Sequence, residues 1–162
     1  VLKLAIDPAE QGKSSLVTVY LEGELDESTG KAVVPLSGLN ADKIVFNFRD
    51  VKTCNSRGIF DWMQFLDQFE NGRQIYYDEC TPDIMRQINL IPAFSGSAEV
   101  RSFYIRFECD DCGAESSALL DVSVGERAML TRIQDLYCPR CQSEALTLED
   151  EPSSLFLFLD DD

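Results

Sequence analysis

Lys43-Ile44-Val45-Phe46-Asn47-Phe48-Arg49 runs through Val51-Lys52-Thr53-Cys54 into Asn55-Ser56-Arg57-Gly58, and Ile59-Phe60-Asp61-Trp62-Met63-Gln64-Phe65-Leu66-Asp67-Gln68-Phe69 follows. The apolar run Ile44 to Phe48 has the length of a strand and side chains that suit a pleated surface. After the Asn-Ser-Arg-Gly break the period changes. Ile59, Trp62 and Met63, Leu66 and Phe69 recur at helical spacing, and Asn71-Gly72 ends the pattern. A strand that feeds straight into an amphipathic helix is the building unit of an α/β layer.

The flanking sequence extends that unit. Upstream, Leu16-Val17-Thr18-Val19-Tyr20-Leu21 reads as a strand, and Glu22-Gly23-Glu24-Leu25-Asp26 as the turn after it. Gly30, Pro35 and Gly38 rule out one long helix over residues 27–42. Downstream, Ile75-Tyr76-Tyr77 is a third strand candidate. Thr81-Pro82-Asp83 has the form of a helix start, with Thr81 as N-cap and Pro82 in the first turn. Ile84, Ile88 and Ile91 form the apolar stripe of that helix, and Pro92 stops it. The alternation predicts an α/β domain over residues 1–98, a mixed sheet covered by helices.

A short small-residue segment, Ala93 to Ala98, separates this part from a cysteine-rich one. Phe103-Tyr104-Ile105-Arg106-Phe107-Glu108 alternates like a strand and leads into Cys109-Asp110-Asp111-Cys112. Twenty-five residues then precede Cys138-Pro139-Arg140-Cys141, in a chain with no histidine. Leu119 to Val122 and Leu130 to Tyr137 read as strands in the interval, and Ala145-Leu146-Thr147-Leu148 as the strand leaving the second knuckle. Two CxxC pairs at this spacing predict a small all-β zinc ribbon over residues 99–150. Cys109, Cys112, Cys138 and Cys141 would close a tetrahedral shell on one structural Zn²⁺. A closed Cys₄ shell has no open position for water or substrate, so its chemistry is architectural. Residues 151–162 form an acidic tail with an apolar insert, Leu155-Phe156-Leu157-Phe158-Leu159, expected to pack on its own chain as an edge strand, with docking to a partner as the other reading.

Charge narrows the function classes. There are 29 acidic and 14 basic residues, a formal charge of −15, and residues 99–162 hold 15 of the acidic but only 5 of the basic ones. That field repels a polyanion, so nucleic-acid binding is not expected. No apolar stretch approaches the ~20 residues of a membrane span, and no basic segment precedes an apolar run near Val1. Paired CxxC knuckles favour metal over disulfides and a reducing, cytoplasmic setting. Cys54 and Cys80 stand far from the knuckles and read as small buried hydrophobes. Trp62 and its neighbouring phenylalanines read as core. Without histidine or a nucleophile–base pairing, the acidic surplus reads as a solvated surface and the chain as no enzyme.

The segment from Lys43 to Phe69, with Gly23-Glu24-Leu25-Asp26 before it and Gly72-Arg73-Gln74-Ile75-Tyr76-Tyr77 and Thr81-Pro82-Asp83-Ile84 after it, resembles the STAS family of anti-sigma-factor antagonist domains, over roughly residues 14–94. The resemblance implies a regulatory module that switches protein partners, such as a serine/threonine kinase of the anti-sigma type or a signalling scaffold. It places Ser56 on the family's phosphorylated serine and Gly58 on its glycine. Asn55 stands where the family has aspartate, and Arg57 where it has a second serine. Two uses of this junction stay open in the sequence: a regulatory phosphosite at Ser56, or helix capping by Ser56 or Asn55. A constitutive scaffold and a transcription-associated ribbon adaptor are the alternative functions, and an exposed sheet edge would allow pairing with a second copy.

Overall fold

The computed structural model describes residues 1–7 and 16–160. Its first sheet contains β1 (Lys3–Ile6), β2 (Leu16–Leu25), β3 (Lys43–Cys54), β4 (Gln74–Asp78) and β5 (Glu99–Val100), in that spatial order. β1 is antiparallel to β2, and the remaining neighbours are parallel. The connections are α1 (Thr29–Ala32) with a 3₁₀ turn at Val34–Gly38, then α2 (Ser56–Phe69), then α3 (Pro82–Leu90) with a 3₁₀ turn at Pro92–Phe94. The fold is therefore mixed α/β. The broken stretch before β3 follows its Gly and Pro residues, and Pro92 ends α3 as its missing N–H requires.

The segment Glu22–Leu25 is not the expected turn. It continues β2, pairing with Asp50–Cys54 through two register irregularities. The reason is that β3 itself runs on past Phe48, so a partner ladder exists that local turn propensity does not see. Gly23, at φ 109°, absorbs one irregularity beside the backbone of Val1. β1, at four residues, carries too little periodicity to be legible in the sequence.

Packing is densest between α2 and the strands. Trp62, Leu66 and Phe69 are buried against Phe46 and Phe48 of β3, and the Phe46 and Trp62 rings meet edge to face at 4.9 Å. The buried polar atoms of this core are satisfied in series: Trp62 Nε1 donates to Tyr77 Oη at 2.9 Å, and Tyr77 Oη donates to the Phe94 carbonyl at 2.8 Å. Thr81 caps α3, and Ile84 and Ile88 are buried beneath it as the stripe predicts; Met85, outside that stripe, is buried with them, while Ile91 is the half-buried C-cap.

A second, antiparallel sheet joins β6 (Ser102–Cys109), β7 (Glu115–Asp121) and β8 (Leu146–Leu148), in the order β7-β6-β8. It grows directly from the first sheet. Cys80 bridges Phe103, and the Tyr104 amide donates to the Cys80 carbonyl at 2.8 Å. Glu79, at a left-handed φ of 48°, clasps the junction. Its carboxylate accepts from Asn47 Nδ2 at 2.6 Å and from the Tyr104 hydroxyl at 2.8 Å, while its amide donates to Ser102 Oγ at 2.8 Å. One hydrophobic core runs through both sheets, from Val19 and Phe46 to Phe103, Ile105 and Leu120.

The interval between the knuckles corrects the all-β expectation. β7 and a 3₁₀ turn at Val122–Val124 lead into a helix, α4 (Glu126–Gln134), in place of the strand that Leu130 to Tyr137 predicts. Gly125, at φ 91°, opens the helix, and Met129, Leu130 and Ile133 then share its inward face. That apolar set is too short for period alone to separate helix from strand.

The tail packs on its own chain, but not as an edge strand. It forms a short helix, α5 (Pro152–Leu155), and a 3₁₀ turn at Leu157–Asp160. Leu155 and Phe156 are buried. The Phe103 ring meets Phe156 and Phe158 at 6.2 and 5.7 Å. Asn89 of α3 holds the tail at two points, donating to the Leu155 carbonyl at 3.3 Å and accepting the Phe158 amide at 2.9 Å. Arg86 adds ion pairs to Glu149 at 3.2 Å and Asp150 at 3.0 Å. Pro152 at the first helical position and the pull of the core on two adjacent bulky residues explain why a turn of helix replaces a strand here.

Candidate functional site

The two knuckles are built alike. In the first, the Cys109 amide donates to the Ala114 carbonyl and the Gly113 amide to the Cys109 carbonyl, both at 2.9 Å. In the second, the Cys138 amide donates to the Ser143 carbonyl and the Gln142 amide to the Cys138 carbonyl, both at 2.8 Å. Each loop closes through a residue in the left-handed region, Gly113 at φ 74° and Gln142 at φ 61°. The glycine is visible in the sequence as part of the motif. Gln142 gave no signal, since glutamine carries no preference for that conformation.

These loops face one another. The sulfurs of Cys109, Cys112, Cys138 and Cys141 all lie within 4.8 Å of one another, with Cys109 Sγ 3.5 Å from Cys141 Sγ and Cys112 Sγ 3.6 Å from Cys138 Sγ. Ligands about 2.3 Å from a tetrahedral metal stand about 3.8 Å apart, so the four sulfurs fit one ion. The thiols are not alike: the neighbouring sulfurs, Cys109 first, push Cys141 up to about 12 and Cys112 is also raised, whereas Cys138 is lowered. The Cys141 and Arg140 amides donate to the Cys138 sulfur and hold that thiol down at about 7. Cys109 and Cys138 are buried, while Cys141 is exposed at the rim. Around them, the Thr147 hydroxyl donates to Asp110 at 2.7 Å, Ser143 donates to Asp111, and the Asp110 amide donates to the Ala145 carbonyl at 2.8 Å. The second loop is thereby tied to the first at three points. The four cysteines thus form a group that could hold a metal ion, fully coordinated by protein.

The other predicted residues lie away from the cysteines, at the start of α2. Asn55 is the N-cap: its Oδ1 accepts the Gly58 amide at 2.9 Å, and its own amide donates to the Leu25 carbonyl at 2.9 Å. Gly58 is buried because α2 starts hard against the end of β2, where a Cβ would overlap the Leu25 carbonyl and the Asp26 nitrogen. Arg57 is exposed and donates through Nε to the buried Asp61 at 3.1 Å. Ser56, the first residue of the helix, is exposed, and its hydroxyl makes no hydrogen bond among the described residues. Next to it, Glu27 reaches Asn55 Nδ2 at 3.5 Å. The Asp26 carboxyl is held down at about 2, chiefly by the Ser28 hydroxyl and then by the Ser28 amide. The loop from Asp26 to Ser28 beside Ser56 thus carries negative charge.

Cys80 is fully buried and Cys54 half-buried, and burial pushes both thiols up, Cys54 to about 11. Neither joins the four-cysteine group. Trp62 is core, while Phe60 is half-exposed near Arg57. No helix among the described residues is long and apolar enough to cross a membrane. No protein-family model and no curated protein matches this chain.

Proposed function

We propose that the chain is a non-catalytic regulatory module that binds protein partners through the surface around α2, and that a structural Zn²⁺ holds its Cys₄ ribbon. The observation that carries the reading is the division of labour at the start of α2. Asn55 caps the helix, so the exposed Ser56 hydroxyl is left without a structural task. Phosphorylation there would place roughly −1.5 to −2 charges at the positive end of a helix, which tolerates them. The same charge would stand beside Asp26 and Glu27, making an already negative surface repel an acidic partner. The element order around Lys43 to Leu90, strand, helix, strand, helix, supports the resemblance to the STAS family, as does the close approach that demands Gly58. Partner switching by a serine/threonine kinase of the anti-sigma type follows from that resemblance.

The ribbon supports this module rather than a separate activity: four sulfurs within 4.8 Å of one another would fill the shell of a tetrahedral ion and leave no position for a substrate. Three baits test the switch in a pull-down from native lysate read by mass spectrometry: the protein itself, Ser56→Ala and Ser56→Glu. A kinase-type or scaffold partner captured by the first two and lost with the third is the expected result. Identical partners for all three baits would make the chain a constitutive scaffold.

A further inference from the structure

A polar cavity of about 290 Å³ opens where the two sheets meet, on the side of the molecule that holds the start of α3, and nothing in the partner-binding reading uses it. It is lined by Arg49, Asp50, Thr81, Pro82, Tyr104, Arg106 and Ser117. These residues come from four elements. Arg49 and Asp50 lie on the part of β3 that runs past β4, Thr81 and Pro82 start α3, Tyr104 and Arg106 lie on β6, and Ser117 lies on β7 opposite Arg106.

Two arginines, Arg49 and Arg106, line this one cavity. Arg57 is engaged with Asp61, Arg86 with Asp83, Asp150 and Glu149, Arg101 with Asp78, Arg73 with two carbonyls and Arg132 with one, while Arg127 and Arg140 stand on the exposed surface outside any such cavity without a side-chain partner among the described residues. Arg49 makes no side-chain hydrogen bond or ion pair among the described residues, and Arg106 has only Glu149 at 3.6 Å. In a chain of net charge −15 with 29 acidic and 14 basic residues, two arginines and a single carboxylate lining one cavity run against the overall balance. The other polar groups add donors. The Ser117 hydroxyl makes no hydrogen bond among the described residues, and the Thr81 hydroxyl, 7% exposed, accepts from Ile84 without an acceptor for its own proton. The Tyr104 hydroxyl is spent on Glu79. Asp50 is the one carboxylate in the lining.

We propose that this cavity binds a small phosphoryl-bearing molecule, with Arg49 and Arg106 holding the phosphoryl oxygens and Thr81 and Ser117 donating to them. Guanidinium forks match tetrahedral oxyanions better than any other side chain. The site lies beyond the carboxyl end of β4, at the start of the helix that follows it, where open α/β sheets place ligands. The volume exceeds that of a bare phosphate, and Asp50 would accept from a hydroxyl or ammonium on the ligand's body. The overall negative field repels free anions, so retention depends on the converging donors rather than on net charge.

The test uses the full chain with its metal, inorganic phosphate as the first probe and phosphoethanolamine as the second, read by calorimetry and by phosphorus NMR against chloride at equal ionic strength. The expected result is saturable binding of phosphate with a Kd on the order of 1 mM. Arg49→Gln and Arg106→Gln each weaken it roughly tenfold. Asp50→Asn tightens inorganic phosphate but weakens phosphoethanolamine, a crossed response that a merely structural role would not give. Arg127→Gln, on the exposed face of α4, leaves both unchanged. Circular dichroism and metal content confirm that each variant is folded. Absence of saturable binding, or weakening by Arg127→Gln equal to that by the cavity variants, or an Asp50→Asn response that does not cross, overturns the proposal.

Discussion

The side chain of Asn55 accepts the Gly58 amide at 2.9 Å, and the hydroxyl of Ser56, one residue on, accepts and donates nothing among the described residues. Capping and modification compete for one serine when only the sequence is considered. The structure gives the cap to asparagine. Asn55→Ala should therefore cost about 1 kcal/mol of stability in urea denaturation, and Ser56→Ala almost nothing. Equal costs for the two would show that Ser56 shares the cap.

Gly58 sits where α2 meets β2, and any β-carbon there runs into the Leu25 backbone. Alanine is the better helix former, so an unconstrained site would gain about 1 kcal/mol from Gly58→Ala. The expected outcome is the reverse, a loss of about 2–3 kcal/mol, because backbone cannot give way as a flexible side chain can. A melting temperature that rises in Gly58→Ala would contradict the close packing described above.

The four cysteines should bind one zinc per chain, measurable by elemental analysis of the purified protein. Zinc in such sites contributes on the order of 10 kcal/mol to folding. Chelation, or Cys109→Ser with Cys138→Ser, should therefore unfold β6 to β8 around the knuckles and expose the core they share with the first sheet. A double variant that retained its full β-sheet signal without metal would remove the architectural role.

The buried chain Trp62–Tyr77–Phe94 makes Tyr77→Phe informative. Removing one hydroxyl leaves Trp62 Nε1 without an acceptor and the Phe94 carbonyl without a donor. The expected cost is about 2 kcal/mol, with a blue shift of the single tryptophan's emission as the local readout. Tryptophan emission and stability that both match wild type would mean that water replaces the hydroxyl.

Alkaline pH should destabilise the fold. Burial raises the Cys54 thiol from 9.0 to about 11, with the Asp83 charge as a second cause, and burial raises Cys80 and Tyr77 well above their ordinary values. The folded state thus keeps protons that the unfolded chain releases. Stability is full below about pH 9 and falls as pH rises through the folded-state values. Denaturation midpoints at pH 8 and pH 10.5 should differ in that direction, and Cys54→Ala should reduce the difference. A midpoint independent of pH over this range would contradict the burial of these groups.

Several features were legible locally because local chemistry decides them. The period change at Asn55 to Gly58, the Thr81-Pro82 start of α3 and the Gly/Pro break before β3 each depend on a handful of neighbouring residues, and each stands in the structure where it was expected. The CxxC pairs belong here as well, since ligand type and spacing are properties of the chain. What escaped has a common cause. Glu22–Leu25 became strand because β3 offered it a ladder, and Leu130 to Gln134 became helix because the inward face of α4 found a core to cover. The apolar tail took a helical turn because Phe103 and Asn89, roughly fifty and seventy residues earlier, were there to receive it. Sequence alone determined the alternation of elements, the two cysteine pairs and the negative charge. Only the tertiary structure decided that Asn55 rather than Ser56 caps α2, that two knuckles face each other across less than 5 Å, and that Arg49 and Arg106 share a cavity. Those are contacts between residues distant in the chain, whose energies exceed local preference and leave no local trace.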